Sequence, residues 1–382
     1  MLTGTHRFPR QDQIVYGRPA AEVVRELAGA WGCTRLFLTT TRSLADGAAA
    51  RFAAELGGLC VGVFADIGAH SPREGVIGGA DAARAAGADL LVALGGGSVI
   101  DATKVMQLCL WAGLTEAGQL DAYRAGRGAD RIDVAKVAPG VRMIAVPTTL
   151  SAAEFTPFAG VSDPARRVKE GYTHPMLAPR AVVLDPAMTL DTPPRLWAST
   201  GMKAVDHAVE QLRHPQRAPY ADALAIDGLK RLAAGLAATQ ADPRDLAARL
   251  ECQFGMWLAI SGVGSGRGMG PSHAIGHTLG GGYGVPHGIT SCVILPAVLA
   301  WTGASGPDGA VAEALGGGDA AGAVRDLVRR LDLPSDLRSV GVTRGDFQAI
   351  AEHTMHDGGV RNSPRPISGP ADIVEILEIA AG

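Results

Sequence analysis

The pattern that most restricts this chain is a change of rhythm near Pro193. Up to that point, short runs of aliphatic and β-branched residues recur: RLFLTT from Arg35, LCVGVFA from Leu59, DLLVALG from Asp89, RMIAVP from Arg142 and AVVLDP from Ala181. Continuous apolar runs of this length suit strands covered on both faces, as in a parallel sheet. Amphipathic helical segments, AAEVVRELAGAWG, ADGAAARFAAELGG and REGVIGGADAARAAGA, are interleaved with them. Parallel strands need crossover connections, which helices supply, so residues 1–190 are expected to form a doubly wound α/β domain of the dinucleotide-binding type. Ligands of such domains sit outside the carboxyl ends of the strands. After Pro193 the strand pattern stops. Helical patterns follow from PRLWASTGMKAVDHAVEQLRH to PADIVEILEIAAG, which predicts an all-α domain over residues 191–382. The polar, Gly-rich stretch from Leu114 to Gly140 reads as a surface excursion between a helix and a strand.

With 47% hydrophobic and 19% charged residues, 382 residues can bury two cores, and disorder is not expected. Lys and Arg total 35 against 38 Asp and Glu, and no basic stripe is interleaved with aromatic residues, so nucleic acid is excluded as an expected partner. Cys33, Cys60, Cys109, Cys252 and Cys292 are dispersed without CxxC spacing, the usage of a protein with reduced thiols. MLTGTHRFPRQDQ has no apolar leader, and no apolar run reaches membrane-spanning length. A soluble cytoplasmic protein with no membrane partner is expected.

The second domain concentrates its chemistry in HAIGHTLGGGYGVPHG, His273 to Gly288, which holds three of the chain's ten histidines. His273 and His277 stand at i and i+4, on one face of a helix. GGG is expected to break that helix, and VPHG to bring His287 to the start of the next one. Three imidazoles so arranged can converge on a metal ion or a polar substrate.

The first domain has its own candidate. DLLVALG runs into GGGSVIDATK, Gly95 to Lys104. Gly95, Gly96 and Gly97 let the backbone approach a ligand closely, and Ser98 with the free N–H groups of the following helix faces an anion, which suits a dinucleotide pyrophosphate. Asp101 and Lys104 fall on the first turns of that helix. PTTLSAAEFTP also follows a strand, and Thr148, Thr149 and Ser151 offer hydroxyls at the same sheet edge.

Taken in order, GGGSVIDATK, PTTLSAAEFTPFAGVSD, DPAMTL, GMKAVDHAVE, HAIGHTLGG, PHGITSCVILP and NSPRPIS resemble the iron-containing alcohol dehydrogenase family, including its maleylacetate reductase branch. The resemblance implies an N-terminal dinucleotide-binding domain, a helical C-terminal domain and hydride transfer between NAD or NADP and a small molecule. It implies cofactor contacts at Gly95, Gly96, Gly97, Ser98, Asp101, Thr148 and Thr149, metal-ligand positions at Lys203, His207, His273 and His287, and a further active-site histidine at His277. Metal-binding members carry Asp where this chain has Lys203, four residues before His207. A protonated amine cannot ligate a metal and repels a divalent ion, so no residue is assigned as a ligand and a bound Fe or Zn is placed in question. Asp206 does not fill the gap, because neighbours on a helix point about 100° apart. Maleylacetate reductases are similar in lacking that Asp, having Asn there, and in HTLGG. The excursion after Leu114 and PHGITSCVILP look more like the alcohol dehydrogenase branch.

The expectation is an NAD(P)-dependent oxidoreductase acting on a small carbonyl or enone, with Lys203, His207, His273, His277 and His287 as catalytic candidates. Lys203 and Arg267 would favour an anionic substrate such as maleylacetate. Lys203 turned away to Glu210, Glu154 or solvent is the alternative, with a metal-dependent alcohol dehydrogenase or aldehyde reductase the corresponding function. A silent dinucleotide-binding protein is a third reading. Dehydroquinate synthase and glycerol-1-phosphate dehydrogenase share a GGGS turn but not HAIGH with PHG. No acidic residue follows the first strand in TTTRSL, and Arg42 there reads as a solvated side chain, so NAD and NADP stay undecided. The resemblance implies an oligomer; HRFPRQDQIVYG could pair as an edge strand with a second copy, and a homodimer is expected.

Overall fold

The computed structural model describes residues 3–126, 131–166 and 168–382. The chain divides into two units, Phe8–Thr192 and Pro193–Gly382, the second including the residues up to Arg7. In chain order the first unit contains β1 (Gln13–Tyr16), α1 (Ala20–Trp31), β2 (Leu36–Thr39), α2 (Arg42–Leu44), α3 (Ala50–Leu56), β3 (Cys60–Phe64), α4 (Arg73–Ala85), β4 (Leu90–Gly95), α5 (Gly97–Ala112), β5 (Arg142–Pro147), β6 (Phe158–Asp163), β7 (Val168–Thr173) and β8 (Ala181–Leu184). Six strands form a parallel sheet in the order β1-β8-β5-β4-β2-β3. The five apolar runs of the sequence are β2, β3, β4, β5 and β8. The segment QIVY is β1, and its partner is β8 of the same chain.

Strand alternation builds two cores from one sheet. Leu90, Val92 and Leu94 of β4 pack with Val24, Leu27 and Phe52 on the α1 and α3 face, while Leu91 and Ala93 pack with Val76, Val105 and Met106 on the α4 and α5 face. Burying each large aliphatic side chain contributes roughly 1.5–3 kcal/mol, so both faces are firmly specified. β2 continues outward to β3, whereas β4 continues to β5 on the other side. The strand order therefore reverses between β2 and β4, and the crevice at their carboxyl ends is where such sheets bind ligands.

Two features depart from the expectation. β6 and β7 form an antiparallel hairpin that the sequence hides, because FAGVSD and VKEGYT each carry glycine and charge. The stretch after Leu114 is more than a surface excursion: Leu120 is fully buried, and Asp121 lies 2.6 Å from the buried guanidinium of Arg73. Arg73 also reaches Asp163 at 2.7 Å and Glu170 at 3.4 Å, tying the hairpin to α4.

The second unit contains α6 (Pro194–Arg213), α7 (Pro219–Ala241), α8 (Leu246–Ala259), α9 (Ser261–Gly264), α10 (Pro271–Tyr283), α11 (His287–Thr302), α12 (Asp308–Leu315), α13 (Ala320–Arg330), α14 (Phe347–Thr354) and α15 (Pro370–Ala381), with no strand among the described residues. Small residues set its closest approaches. A Cβ on Gly288 would lie 2.5 Å from the carbonyl oxygen of Ser199, so the glycine of PHG is what lets the start of α11 abut α6. A Cβ on Gly276 would lie 2.8 Å from Thr290 Oγ1, which fixes α10 against α11 in the same way. Among the described residues no helix is long and apolar enough to cross a membrane.

Candidate active site

In the first unit, β4 delivers Gly95 to the crevice and α5 starts at Gly97 with no side-chain cap, leaving its first N–H groups to a ligand. Thr148 N–H donates to the Gly95 carbonyl at 3.0 Å, which brings the PTTLS loop onto the glycine turn. The hydroxyls of Thr149 and Ser151 are buried without a hydrogen-bond partner, and so is that of Thr40 just beyond β2. A Cβ on Gly96 would lie 2.9 Å from Thr149 Oγ1, and one on Gly97 would lie 3.0 Å from Ser151 Oγ. Unsatisfied buried hydroxyls beside a turn that excludes side chains fit the phosphates and ribose of a dinucleotide.

Two predicted cofactor residues have other duties. Ser98 Oγ accepts from His70 N–H at 3.1 Å and keeps its own proton to donate. Asp101 accepts from Gly160 N–H at 3.1 Å, fastening β6. Lys104 is fully buried, donating to the carbonyls of Ala153 and Phe158, and burial pushes its amine down to about 8. Arg42 is exposed and paired with Asp66.

In the second unit, α6 presents Lys203 and His207, α10 presents His273 and His277 and, against expectation, runs on through the three glycines to a cap at Gly284, and α11 opens with His287. The four imidazoles cluster. His207 stacks on His273 with ring centroids 5.0 Å apart, His277 stacks on His287 at 5.1 Å, and His273 is 6.3 Å from both His277 and His287. His207 and His273 are buried, while the His277 side chain is 47% exposed. Burial pushes His273 down to about 4, with the charge of Lys203 acting in the same direction. Burial also holds His207 well below its ordinary value, followed by the charges of His273 and Lys203. Lys203 therefore belongs electrostatically to the cluster, and these two imidazoles are neutral at physiological pH.

Behind His273 stand two buried carboxylates. Glu210 accepts from Gly270 N–H at 2.7 Å, Ser272 N–H at 2.6 Å and His273 Nδ1–H at 2.9 Å. Asp206 accepts from Ser272 Oγ–H at 2.8 Å and lies 3.5 Å from His273 Nδ1. Burial pushes both carboxyls up to about 7. His273 is thus held by Nδ1, leaving Nε2 unprotonated and without a hydrogen-bond partner inside the protein. His277 is held similarly, its Nδ1 2.8 Å from Asp357 Oδ2. Burial opposes ionisation of Asp357, but the hydrogen bond and charge of His277 outweigh it and keep that carboxyl low.

Asp206, Glu210 and His273 lie close enough to share a metal ion. Their chemistry does not fit one, because Glu210 is already committed to three donors and His273 Nδ1 carries the proton it gives to Glu210. On the other side, His207, His273 and His287 offer imidazoles, but the fourth member is the ammonium of Lys203. Three imidazoles are as many protein ligands as a catalytic zinc site uses, but the charge of Lys203 opposes a dication there.

The structure thus brings Lys203, His207, His273, His277 and His287 together, and separately Gly95, Gly96, Gly97, Ser98, Thr148, Thr149 and Ser151. Arg267 is a correction. Its guanidinium donates to the carbonyls of Gln211 and Gln216 and lies 3.6 Å from Asp222, and among the described residues none of its bonds goes to the four histidines. Asp206 reaches the cluster after all, from behind His273. Glu210, expected only as an alternative partner of Lys203, and Asp357 were missed as partners of the histidines. Glu210 is one turn beyond His207 on α6 and was legible by spacing, whereas nothing local in the sequence marks Asp357.

A parallel-sheet nucleotide crevice and a helical unit carrying an imidazole–lysine cluster define an NAD(P)-dependent oxidoreductase. The chain belongs to the iron-containing alcohol dehydrogenase family: residues 11–186 match iron-containing alcohol dehydrogenase, and residues 197–381 match the Fe-containing alcohol dehydrogenase family, C-terminal. It is 34% identical over 378 residues to a maleylacetate reductase of Burkholderia cepacia, covering 97% of this chain and 95% of that one. It is 33% identical to the maleylacetate reductase of Rhizobium sp. strain MTP-10005, covering 94% and 93%. The crystal structure of maleylacetate reductase from Agrobacterium tumefaciens superposes with a TM-score of 0.84 at 29% identity, covering 100% and 99%.

Proposed function

We propose that this enzyme reduces a small carboxylate-bearing enone or carbonyl compound of the maleylacetate type, with Lys203 supplying the positive charge that a metal would otherwise provide. The observation that carries the reading is the place of Lys203 one turn before His207 on α6, with its charge lowering both His207 and His273. The names of the relatives support the substrate class.

When bound, the reduced nicotinamide supplies a hydride to the substrate. The chain's own residues have three tasks. Gly96, Gly97, Thr149 and Ser151 hold the dinucleotide. Lys203 donates a hydrogen bond to the oxygen that gains negative charge, a group whose stabilisation dominates the barrier of such reductions. His277 delivers the proton that balances the hydride, and Asp357 stabilises its imidazolium before transfer. Its exposure lets water restore that proton. His207 and His273, neutral and buried, shape the pocket floor and accept hydrogen bonds through their free nitrogens.

Absorbance assays of NADH and NADPH oxidation, run with maleylacetate and with uncharged aldehydes, test the substrate class. Elemental analysis of the same sample, together with Lys203→Ala and Lys203→Asp, tests the charge replacement. Activity should require no metal, fall by about two orders of magnitude or more in Lys203→Ala, and be accompanied by new metal binding in Lys203→Asp. A stoichiometric metal in the parent, with activity lost to a chelator, would overturn the role of Lys203.

A further inference from the structure

We propose that the helical unit carries a second binding site, for a small polyanion bearing phosphate or carboxylate groups, beyond the carboxyl end of α6. A cavity of about 370 Å³ opens there, within the size range of small-ligand pockets. Three segments distant in sequence each bring an arginine to it: Arg7 from the N-terminal residues, Arg267 from the loop before α10, and Arg361 from the turn Gly358–Asn362. His214 completes the wall. It lies seven residues beyond His207, or about 10 Å along the chain at helical rise, so the pocket is distinct from the imidazole cluster.

The charge around this cavity is not balanced by the protein. Asp222 is shared between Arg217 at 2.8 Å and Arg267 at 3.6 Å. Arg7 and Arg361 have no ion pair among the described residues. Arg267 is the more telling group. Its side chain is 11% exposed, and its Nη2 donates to the Gln211 and Gln216 carbonyls. Its Nε is buried without a hydrogen bond, and its Nη1 has only the long ion pair to Asp222. Leaving guanidinium donors buried and unpaired is costly, and gathering several guanidiniums around one carboxylate adds repulsion. An anion with two or more charged oxygens relieves both, because arginine forks bind such oxygens in pairs. The inference is independent of the reaction assigned to the imidazole cluster.

The test titrates the full chain with inorganic pyrophosphate and, separately, with tricarballylate, by calorimetry at constant ionic strength. Saturating NADH is present throughout, so that the glycine turn of the first unit cannot account for phosphate binding. One saturable site is expected for at least one probe, weakened about tenfold or more by Arg361→Glu and by Arg7→Glu. Both variants should keep parental reductase activity and an unchanged or higher unliganded melting temperature. Binding of only one probe identifies the headgroup and supports the site. No saturable binding, or equal affinity in the parent and both variants, overturns it. So does a change in oligomeric mass on Arg361→Glu with pyrophosphate affinity intact, which would make this face an interface between copies.

Discussion

Glu210 Oε2 and His273 Nδ1 lie 2.9 Å apart with both side chains buried, so the orientation of the α10 histidine is set by a carboxylate on α6. The same carboxylate caps the start of α10 through Gly270 and Ser272, where a negative group is favoured by the helix dipole. One residue therefore places both the helix and the imidazole it carries.

Replacing it separates these roles. Glu210→Gln should lower turnover about 10–100-fold while leaving NADH affinity unchanged, the effect expected of an outer partner that orients a functional histidine. Its stability should also respond to pH differently. The Glu210 carboxyl rises from an ordinary 4.5 to about 7 in the folded chain. Between those values the folded state holds a proton that the unfolded state has released, so this group's contribution to stability falls as pH rises. Asp206, raised to about 7, acts in the same direction, and His273, lowered to about 4, acts in the opposite one. Removing Glu210 leaves the histidine less opposed. The stability of Glu210→Gln relative to the parent should therefore climb from pH 4.5 to 7 in denaturant titrations, and a flat difference would refute the assignment.

The glycine turn makes a sharper prediction. Gly96→Val puts a side chain where only 2.9 Å separates a Cβ from Thr149 Oγ1. The overpacking should cost about 1–3 kcal/mol of stability, while fluorescence titration should detect little or no NADH or NADPH binding. Parental affinity in a folded variant would move the cofactor elsewhere.

His277→Asn should reduce turnover between pH 6 and 9 far more than it changes cofactor affinity, because the amide keeps a polar contact with Asp357 but cannot transfer a proton. Steady-state kinetics across that range decide it. Turnover matching the parent would leave His277 a structural residue.

Away from chemistry, Arg73→Met should be among the more destabilising single changes in the first unit. It strands the buried carboxylates of Asp163 and Glu170, a loss of about 3–5 kcal/mol for such pairs, and the lower end is expected because Arg166 and Arg124 remain. Arg84→Ala breaks an exposed pair with Asp81 and a 2.9 Å hydrogen bond to the Leu114 carbonyl, and should cost less, about 1–2 kcal/mol. Urea midpoints of the two variants give the comparison.

Much of this architecture is written in local pattern. The five apolar runs state five of the sheet's six strands, and the spacing of His273, His277 and His287 states the histidine face. What escaped is non-local. The hairpin β6–β7 buries Ala159, Val161 and Tyr172, but it also buries Asp163 and Glu170 against Arg73 of α4, so apolar periodicity alone does not reveal it. Asp357 joins His277 across 80 positions of chain. Arg267 was misjudged because closeness in sequence to His273 says nothing about which side of the loop its guanidinium takes. Asp206 was dismissed on helix geometry alone, which gives its direction from α6 but not the position of α10 that meets it.

The discontinuity of the helical unit bears on how this gene can be recombined. A chimera that joins another relative's codons after position 193 to this chain's earlier codons would exchange the imidazole cluster while leaving the first seven residues with the wrong parent. Those residues count with the helices. His6 packs edge-on against Tyr220, and Arg7 lines the arginine cavity. A productive shuffle of substrate preference onto this nucleotide crevice therefore needs two crossovers, one near codon 8 and one near codon 193, with the leading hexa- or heptapeptide inherited from the donor of the C-terminal half.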